Sequence, residues 1–283
     1  MKIARFDDNR LGLIESDHVK DVTSALTILS SFSYPFPRFD LLIANLDSVI
    51  EEVNRLRNSS RELPLTGRNW LSPVANPGKI IAAPVNYLKH LEEAREQKDI
   101  HHNNKILEIQ KIGLFLKSTS ALVGPSNGIK IQHLDRRNDH EAELVVIIGK
   151  EGRNISKANA MQHVAGYSCG LDMTVRGPEE RSLRKSVDSF AVVGPWLVTS
   201  DELKNPFDLD FSLHVDGELR QQANTKDLIL GIPELIEFAS SFYSLKPGDL
   251  LFTGTPEGVA PVLPGQTIET TFQYIGSMTV AVK

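Results

Sequence analysis

The 283-residue sequence reads as an α+β chain in which β-structure dominates, on three grounds. Short β-rich runs recur and are punctuated by Gly, Pro and Asn: IIAAPV, LFLKS, LVVIIG, WLVTS, LFTGT and MTVAVK. Helical spacing is confined to a few stretches. The strands do not alternate regularly with helices, which argues against a doubly wound parallel sheet. No repeat of roughly 20 to 50 residues is visible, so a solenoid or propeller is not expected.

Taken in order, MKIARF alternates outward and inward positions, and RLGLIESDHVKDV resembles a second and third short strand around a turn. From Asp40 to Arg57 the apolar residues Leu41, Leu42, Leu46, Val49, Ile50, Val53 and Leu56 follow helical spacing. The stretch RELPLTGRNWLSPVANPGK is rich in Pro, Gly and Asn and reads as a linker. The expected organisation is a small N-terminal α/β domain over residues 1–75 and a catalytic domain over 76–283. In the second part, helices are expected from Tyr87 to about Gln110, at Lys157–Gln162 and at Pro233–Ser240.

Composition narrows the function. With 41% hydrophobic and 24% charged residues, the chain has ample material for one sizeable core. A net charge of −5 and a pI near 5.9 argue against a nucleic-acid partner. The longest apolar run, Leu144–Gly149, is far short of a membrane span, and MKIARFDDNR is too charged for a signal peptide. The lone cysteine, Cys169, excludes a disulfide framework and an all-Cys metal site. A cytoplasmic globular protein is expected.

Five constellations carry potential chemistry. Glu141-Ala-Glu143 leads into the run Leu144–Ile148; on a strand, residues i and i+2 share a face, roughly 7 Å apart. Two buried carboxylates so placed repel each other, and a hard divalent cation relieves that cost; an exposed strand start with charged gatekeepers is the commoner origin of such a pair. Asp172, in GLDMTVR, suits a third oxygen ligand or, more often, a turn or cap. His90 and Glu93 are three apart, so on a helix they meet, either as a general base with its orienting carboxylate or as a surface pair. Lys185, in Arg184-Lys185-Ser186, suits an oxyanion donor or a polar loop. The segment PGDLLFTGTPEG lets backbone and the Thr255 hydroxyl approach a ligand, as many plain turns also do. His101 and His102, in KDIHHNNK, read as solvated loop.

The order and wording of these segments resemble the fumarylacetoacetate hydrolase family. The matching stretches are IIAAPVNYLKHLEE, LFLKSTSALVGPSNGIKI, DHEAELVVIIGK, GYSCGLDMTVR, KSVDSFAVVGPWLVT, VDGELRQQANTKDLI and LKPGDLLFTGTPEGV, in the family's order from about Lys79 onward. The resemblance implies a mixed β-sheet roll around a central site, usually in a homodimer. It implies that Glu141, Glu143 and Asp172 ligate one Mg²⁺ or Mn²⁺, that His90 and Glu93 activate water, and that Lys185 stands near the metal. Tyr87, Arg176, Glu179 and Thr255 are implied at the substrate. The implied activity is hydrolysis of a carbon–carbon bond in acylpyruvates or related β-diketo acids, through an enolate of pyruvate. Oxaloacetate decarboxylase, 2-hydroxydienedioate isomerase and 2-keto-acid hydratase are the alternatives on the same scaffold.

The chain departs from the resemblance at two places. Seven residues after Asp172, hydrolytic members usually carry a Gln that donates to the oxyanion; here Glu179 stands there, and an ionised carboxylate only accepts. REQKDIHHNNKILEIQKIG, after Glu93, is longer than the loop common at that place and reads as a charged, mobile lid over residues 94–114.

Overall fold

A computed structural model of the chain describes residues 1–102 and 105–283. Its centre is a mixed sheet of 12 strands. The path runs Arg61–Pro64, His18–Asp21, Arg10–Glu15, Lys2–Phe6, Ala191–Thr199, Val164–Asp172, Ala142–Ile148, Leu250–Phe252, Ile80–Ala82 and Phe115–Lys117. Most neighbours are antiparallel, but Leu250–Phe252 lies parallel to Ile80–Ala82. A four-stranded sheet (Asp210–Val215, Glu218–Asn224, Thr267–Phe272, Gly276–Ala281) and a three-stranded one built on Asn138–His140 complete the β-rich α+β architecture. Among the described residues, no helix is long and apolar enough to cross a membrane.

The strand Ala142–Ile148 is buried at every position, which is why its sequence is a continuous apolar run rather than an alternation. Leu144, Val146 and Ile148 point into one core with Tyr167, Ile236 and Ile268. Val145 and Ile147 point into the other, with Ile3, Leu11, Val49 and Leu250. That second core draws residues from both sides of residue 75. The sheet also continues across it, since Lys2 lies opposite Val198.

Two local expectations are corrected. The Pro- and Gly-rich stretch read as a linker contains two paired strands: Arg61–Pro64 lies on His18–Asp21, and Trp70–Leu71 lies on Arg5 and Phe6. Asp40 ties it further, because its side chain accepts from Ile43 N–H at 3.1 Å and from Ala75 and Asn76 N–H at 2.8 and 3.0 Å. Turn-forming composition reports where the chain bends, not whether the residues between bends are paired. The helix expected from Tyr87 to about Gln110 is broken into Leu88–Glu96, Lys98–His101 and Ile109–Ile112. Ala94 and Ile100 enter one small cluster with Val259; six residues apart, they would stand about 120° apart around one straight helix, and the chain instead turns at Gln97, whose backbone is extended (φ −88°, ψ 109°). His101 and His102, read as solvated loop, are half-buried, and His101 ends the helix Lys98–His101; Asn103 and Asn104, which also fall within the expected lid, lie outside the described residues. The expected helix at Pro233–Ser240 is present as Ile232–Phe242, and Lys157–Gln162 as a 3₁₀ segment, Lys157–His163.

Candidate active site

Two paired strands bring the acidic centre together. Ala142 lies opposite Leu171, and Asp172 N–H donates to the Glu141 carbonyl at 2.9 Å. Glu141 and Asp172 therefore become cross-strand neighbours, and Glu143 follows two residues on from Glu141. One oxygen from each of these carboxylates lies within 4.8 Å of the others, and all three residues are buried. Their surroundings differ. Glu141 Oε1 accepts from Arg176 at 2.9 Å and Thr174 at 3.1 Å, and its Oε2 accepts from Lys185 at 2.6 Å. Asp172 accepts from Lys117 at 2.5 Å and from Lys185 at 2.7 Å. Glu143 accepts from the Gly254 backbone N–H at 2.6 Å.

These contacts set the electrostatics. Burial alone would raise Glu141, but Lys185 and Arg176 more than offset it and hold the carboxyl at about 2. Burial pushes Glu143 well above the usual carboxylate range, and repulsion from Asp172 adds to it. Burial also pulls the Lys117 ammonium below its ordinary value, against the attraction of Asp172. A cluster of buried carboxylates in which one resists ionisation because of burial and its acidic neighbours suits a hard divalent cation of the Mg²⁺ or Mn²⁺ class, for which all-oxygen donors are preferred.

The facing wall is helical. Asn86 is fully buried; its amide donates to the Leu230 and Thr253 carbonyls at 2.9 and 2.8 Å and accepts from Leu230 N–H at 2.8 Å. This clamp fixes the start of the helix Leu88–Glu96, which carries His90 and Glu93 one turn apart. His90 Nδ1 lies 2.8 Å from Glu93 Oε2, while Glu93 Oε1 accepts from Gly258 N–H at 3.0 Å. Gly254, whose amide holds Glu143, has φ +104°, and a Cβ there would come within 2.6 Å of Asn86 Cβ. Glycine is required at that position.

The cavity between floor and wall is lined by His90, Glu141, Glu143, Arg176, Lys185 and Thr255, with Ala94, Ile100, Ile106 and Phe115 closing its apolar side. Two residues expected at the substrate are not on that lining. Tyr87 packs behind it, edge-on to Phe211, and burial raises its hydroxyl, with Glu143 adding to the effect. Glu179 is at the surface, where Arg136 grips both its oxygens at 3.0 and 2.7 Å. Sequence reasoning missed Lys117, Asp139 and Gln221. Asp139 accepts from Arg176 at 2.7 Å. Gln221, fully enclosed, accepts from Ala142 N–H at 2.9 Å and donates to Thr255 Oγ1 at 2.8 Å. A lysine inside the apolar strand FLK was the one local signal for Lys117.

A family model described as fumarylacetoacetate (FAA) hydrolase C-terminal matches residues 79–283. The chain is 52% identical over 287 residues to a maleylpyruvate hydrolase of Aquipseudomonas alcaligenes, spanning 100% of this chain and 99% of that protein. The crystal structure of maleylpyruvate hydrolase from Sphingobium sp. SYK-6 in complex with manganese(II) ion and pyruvate matches at TM-score 0.84 and 38% identity, covering 100% of this chain and 98% of that one. A mitochondrial oxaloacetate tautomerase of Xenopus laevis is 38% identical over 195 residues, which are 67% of this chain and 58% of that protein. With the match over residues 79–283 and the full-length relative together, the chain belongs to the fumarylacetoacetate hydrolase family.

Proposed function

We propose that this enzyme is a divalent-metal-dependent hydrolase that cleaves the carbon–carbon bond of acylpyruvates, with maleylpyruvate as its first candidate substrate. The observation that carries the reading is the buried trio Glu141, Glu143 and Asp172, two of whose members line one cavity with His90, the ring that Glu93 holds by its Nδ1. The full-length likeness to maleylpyruvate hydrolases supports the substrate class.

In this reading Glu141, Glu143 and Asp172 hold Mg²⁺ or Mn²⁺. The bound cation supplies Lewis-acid stabilisation of negative charge on the oxygens of the 2-keto acid. Glu93, an acceptor, keeps the proton of His90 on Nδ1, so Nε2 is left to take a proton from water. Hydroxide then adds to the carbonyl carbon of the acyl group. Lys185 commits two of its three ammonium protons to Glu141 and Asp172 and has one left to donate to the developing oxyanion. Thr255 orients the substrate through its hydroxyl. Collapse breaks the bond between the acyl carbon and the CH₂ of the pyruvyl half; the acyl half leaves as a carboxylic acid. His90 returns its proton to that carbon, which completes pyruvate. Glu179, turned to Arg136, takes no part.

The same reading treats residues 76–283 as the catalytic unit, residues 1–75 as a small N-terminal domain, and the working form as a cytoplasmic homodimer, which sedimentation equilibrium checks. The activity is tested by following pyruvate release from maleylpyruvate, acetylpyruvate and oxaloacetate with and without Mg²⁺ or Mn²⁺. Metal-dependent cleavage of the acylpyruvates is expected. Turnover of oxaloacetate alone would overturn the hydrolase in favour of a decarboxylase or isomerase.

A further inference from the structure

We propose that Arg181, supported by Arg184, binds the distal carboxylate of the substrate and selects dicarboxylic acylpyruvates over those with a neutral acyl group; this rests on the acylpyruvate reading above. The cavity lining contains more cationic side chains than its acidic groups engage. Lys117, Lys185 and Arg176 already pair with Asp172 and Glu141. Arg181 and Arg184 also line the cavity. Among the described residues, neither has a carboxylate within ion-pair distance, and Arg184 is bonded to neutral carbonyls, of Glu179 at 2.8 Å and Val175 at 3.5 Å. A half-buried guanidinium without an anion is a cost unless a ligand supplies one.

The geometry fits the second end of a substrate. Arg181 opens the five-residue helix Arg181–Lys185, so it stands four positions before Lys185, on the same helical face and roughly 5–6 Å along it. Both cations sit over the ring of Phe115, the Arg181 guanidinium carbon 5.5 Å and the Lys185 ammonium 5.4 Å from its centre. The cation–π contact keeps the Arg181 guanidinium beside the ring without using its N–H donors, which stay free for a carboxylate. With Lys185 at the carbonyl under attack, a carboxylate separated from that carbonyl by two carbons, as in a maleyl group, falls within reach of Arg181. An acetyl group offers nothing there.

The test compares kcat/KM for maleylpyruvate and acetylpyruvate in the wild-type holoenzyme, Arg181→Gln and Arg181→Lys, with Mn²⁺ binding measured on each to show an intact centre. In Arg181→Gln the preference for maleylpyruvate over acetylpyruvate is expected to fall about tenfold to a hundredfold, mainly through KM, as for losing a hydrogen-bonded charge partner. Arg181→Lys, which keeps the charge but not the planar fork, should fall between. A preference within twofold of wild type in Arg181→Gln overturns the assignment while leaving the hydrolase reading intact. A wild-type enzyme that cleaves neither acylpyruvate overturns both.

Discussion

Glu141, Glu143 and Asp172 stand on or beside paired strands in the middle of the large sheet, whereas His90, Glu93, Arg181 and Lys185 stand on helices of nine and five residues. The acidic floor is held by sheet hydrogen bonds and two apolar cores; the helix Leu88–Glu96 opposite is held by an Asn86 clamp, a glycine amide and one small cluster around Ile100, while Lys185 on the other helix is bonded straight to Glu141 and Asp172. The difference separates two requirements. Gathering like charges out of water needs a scaffold that does not yield to their repulsion, which a central sheet supplies. Proton transfer and recognition of variable acyl groups need side chains that can be re-aimed without disturbing that scaffold, and short helices and loops allow it. The floor is thus expected to govern metal affinity, and the wall to govern turnover and selectivity.

The largest effect comes from the floor. Glu143→Gln keeps an oxygen for the Gly254 amide but removes one proposed ligand charge. Affinity for Mn²⁺ should drop by more than the 10- to 100-fold typical of losing an outer hydrogen-bond partner, and hydrolysis should fall to background. Because burial and Asp172 push the Glu143 carboxyl up, the metal-free variant should be no less stable than the parent. Calorimetric titration and metal-free unfolding check both halves; undiminished Mn²⁺ binding would remove Glu143 from the ligand set.

On the wall, His90→Ala should lower kcat by about 10²- to 10⁴-fold, the range for a lost general base, with Mn²⁺ affinity changed less than twofold. Parent-rate hydrolysis by this variant would reassign the base. A fall in Mn²⁺ affinity matching that of Glu143→Gln would erase the distinction between floor and wall.

The floor's charge balance also has a pH signature. Glu141 is held at about 2, with burial outweighed by Lys185 and Arg176, against a usual 4.5. For a carboxylate depressed in the folded state, the stabilisation is complete above the unfolded value and lost as pH falls toward the folded one. The metal-free protein should therefore lose about 3 kcal/mol through this group between pH 4.5 and 2. Denaturant unfolding of the parent and Glu141→Gln should converge over that window; a constant difference between them would show that Glu141 is not the group held down.

What the sequence showed of this arrangement follows from how local each signal was. Glu141 and Glu143 stood out because their spacing and the apolar run after them are contiguous, but spacing alone favoured an exposed strand start, and only the family resemblance implied a ligand pair. The contact between His90 and Glu93 was legible because they are three residues apart on a helix, but that spacing also fits a surface pair, and their role came from the resemblance. Asp172 read alone as a turn or cap and gained its role only from the resemblance; the physical link is a strand register that joins segments some thirty residues apart, which sequence does not show. Lys117 and Gln221 were missed because their partners lie 55 and 79 residues away in the chain. Glu179, expected at the substrate from its offset after Asp172, is drawn off by Arg136, 43 residues distant. The paired strands in the stretch 61–79 were hidden by turn-forming residues that mark the bends between them.

The smallest expected effect tests whether a third region, the four-stranded sheet, reaches into the site. Gln221, on the strand Glu218–Asn224, accepts from Ala142 N–H, which fixes its amide with the NH₂ toward Thr255 and the Pro256 carbonyl, at 2.8 and 3.0 Å. Because Thr255 Oγ1 accepts from this amide, its own proton is turned elsewhere, and the cavity is the side it lines. Gln221→Leu removes the constraint at nearly constant volume. The freed hydroxyl then rotates, and KM for an acylpyruvate should rise about fivefold, the scale of one neutral hydrogen bond, with kcat kept within twofold. Unfilled partners at Ala142 N–H and the Pro256 carbonyl should also cost about 1–3 kcal/mol of stability. That loss alone would follow from a structural role; the rise in KM at constant kcat would not. An unchanged KM in the folded variant would confine Gln221 to holding the two sheets together and leave the aim of Thr255 to the TGTP turn itself.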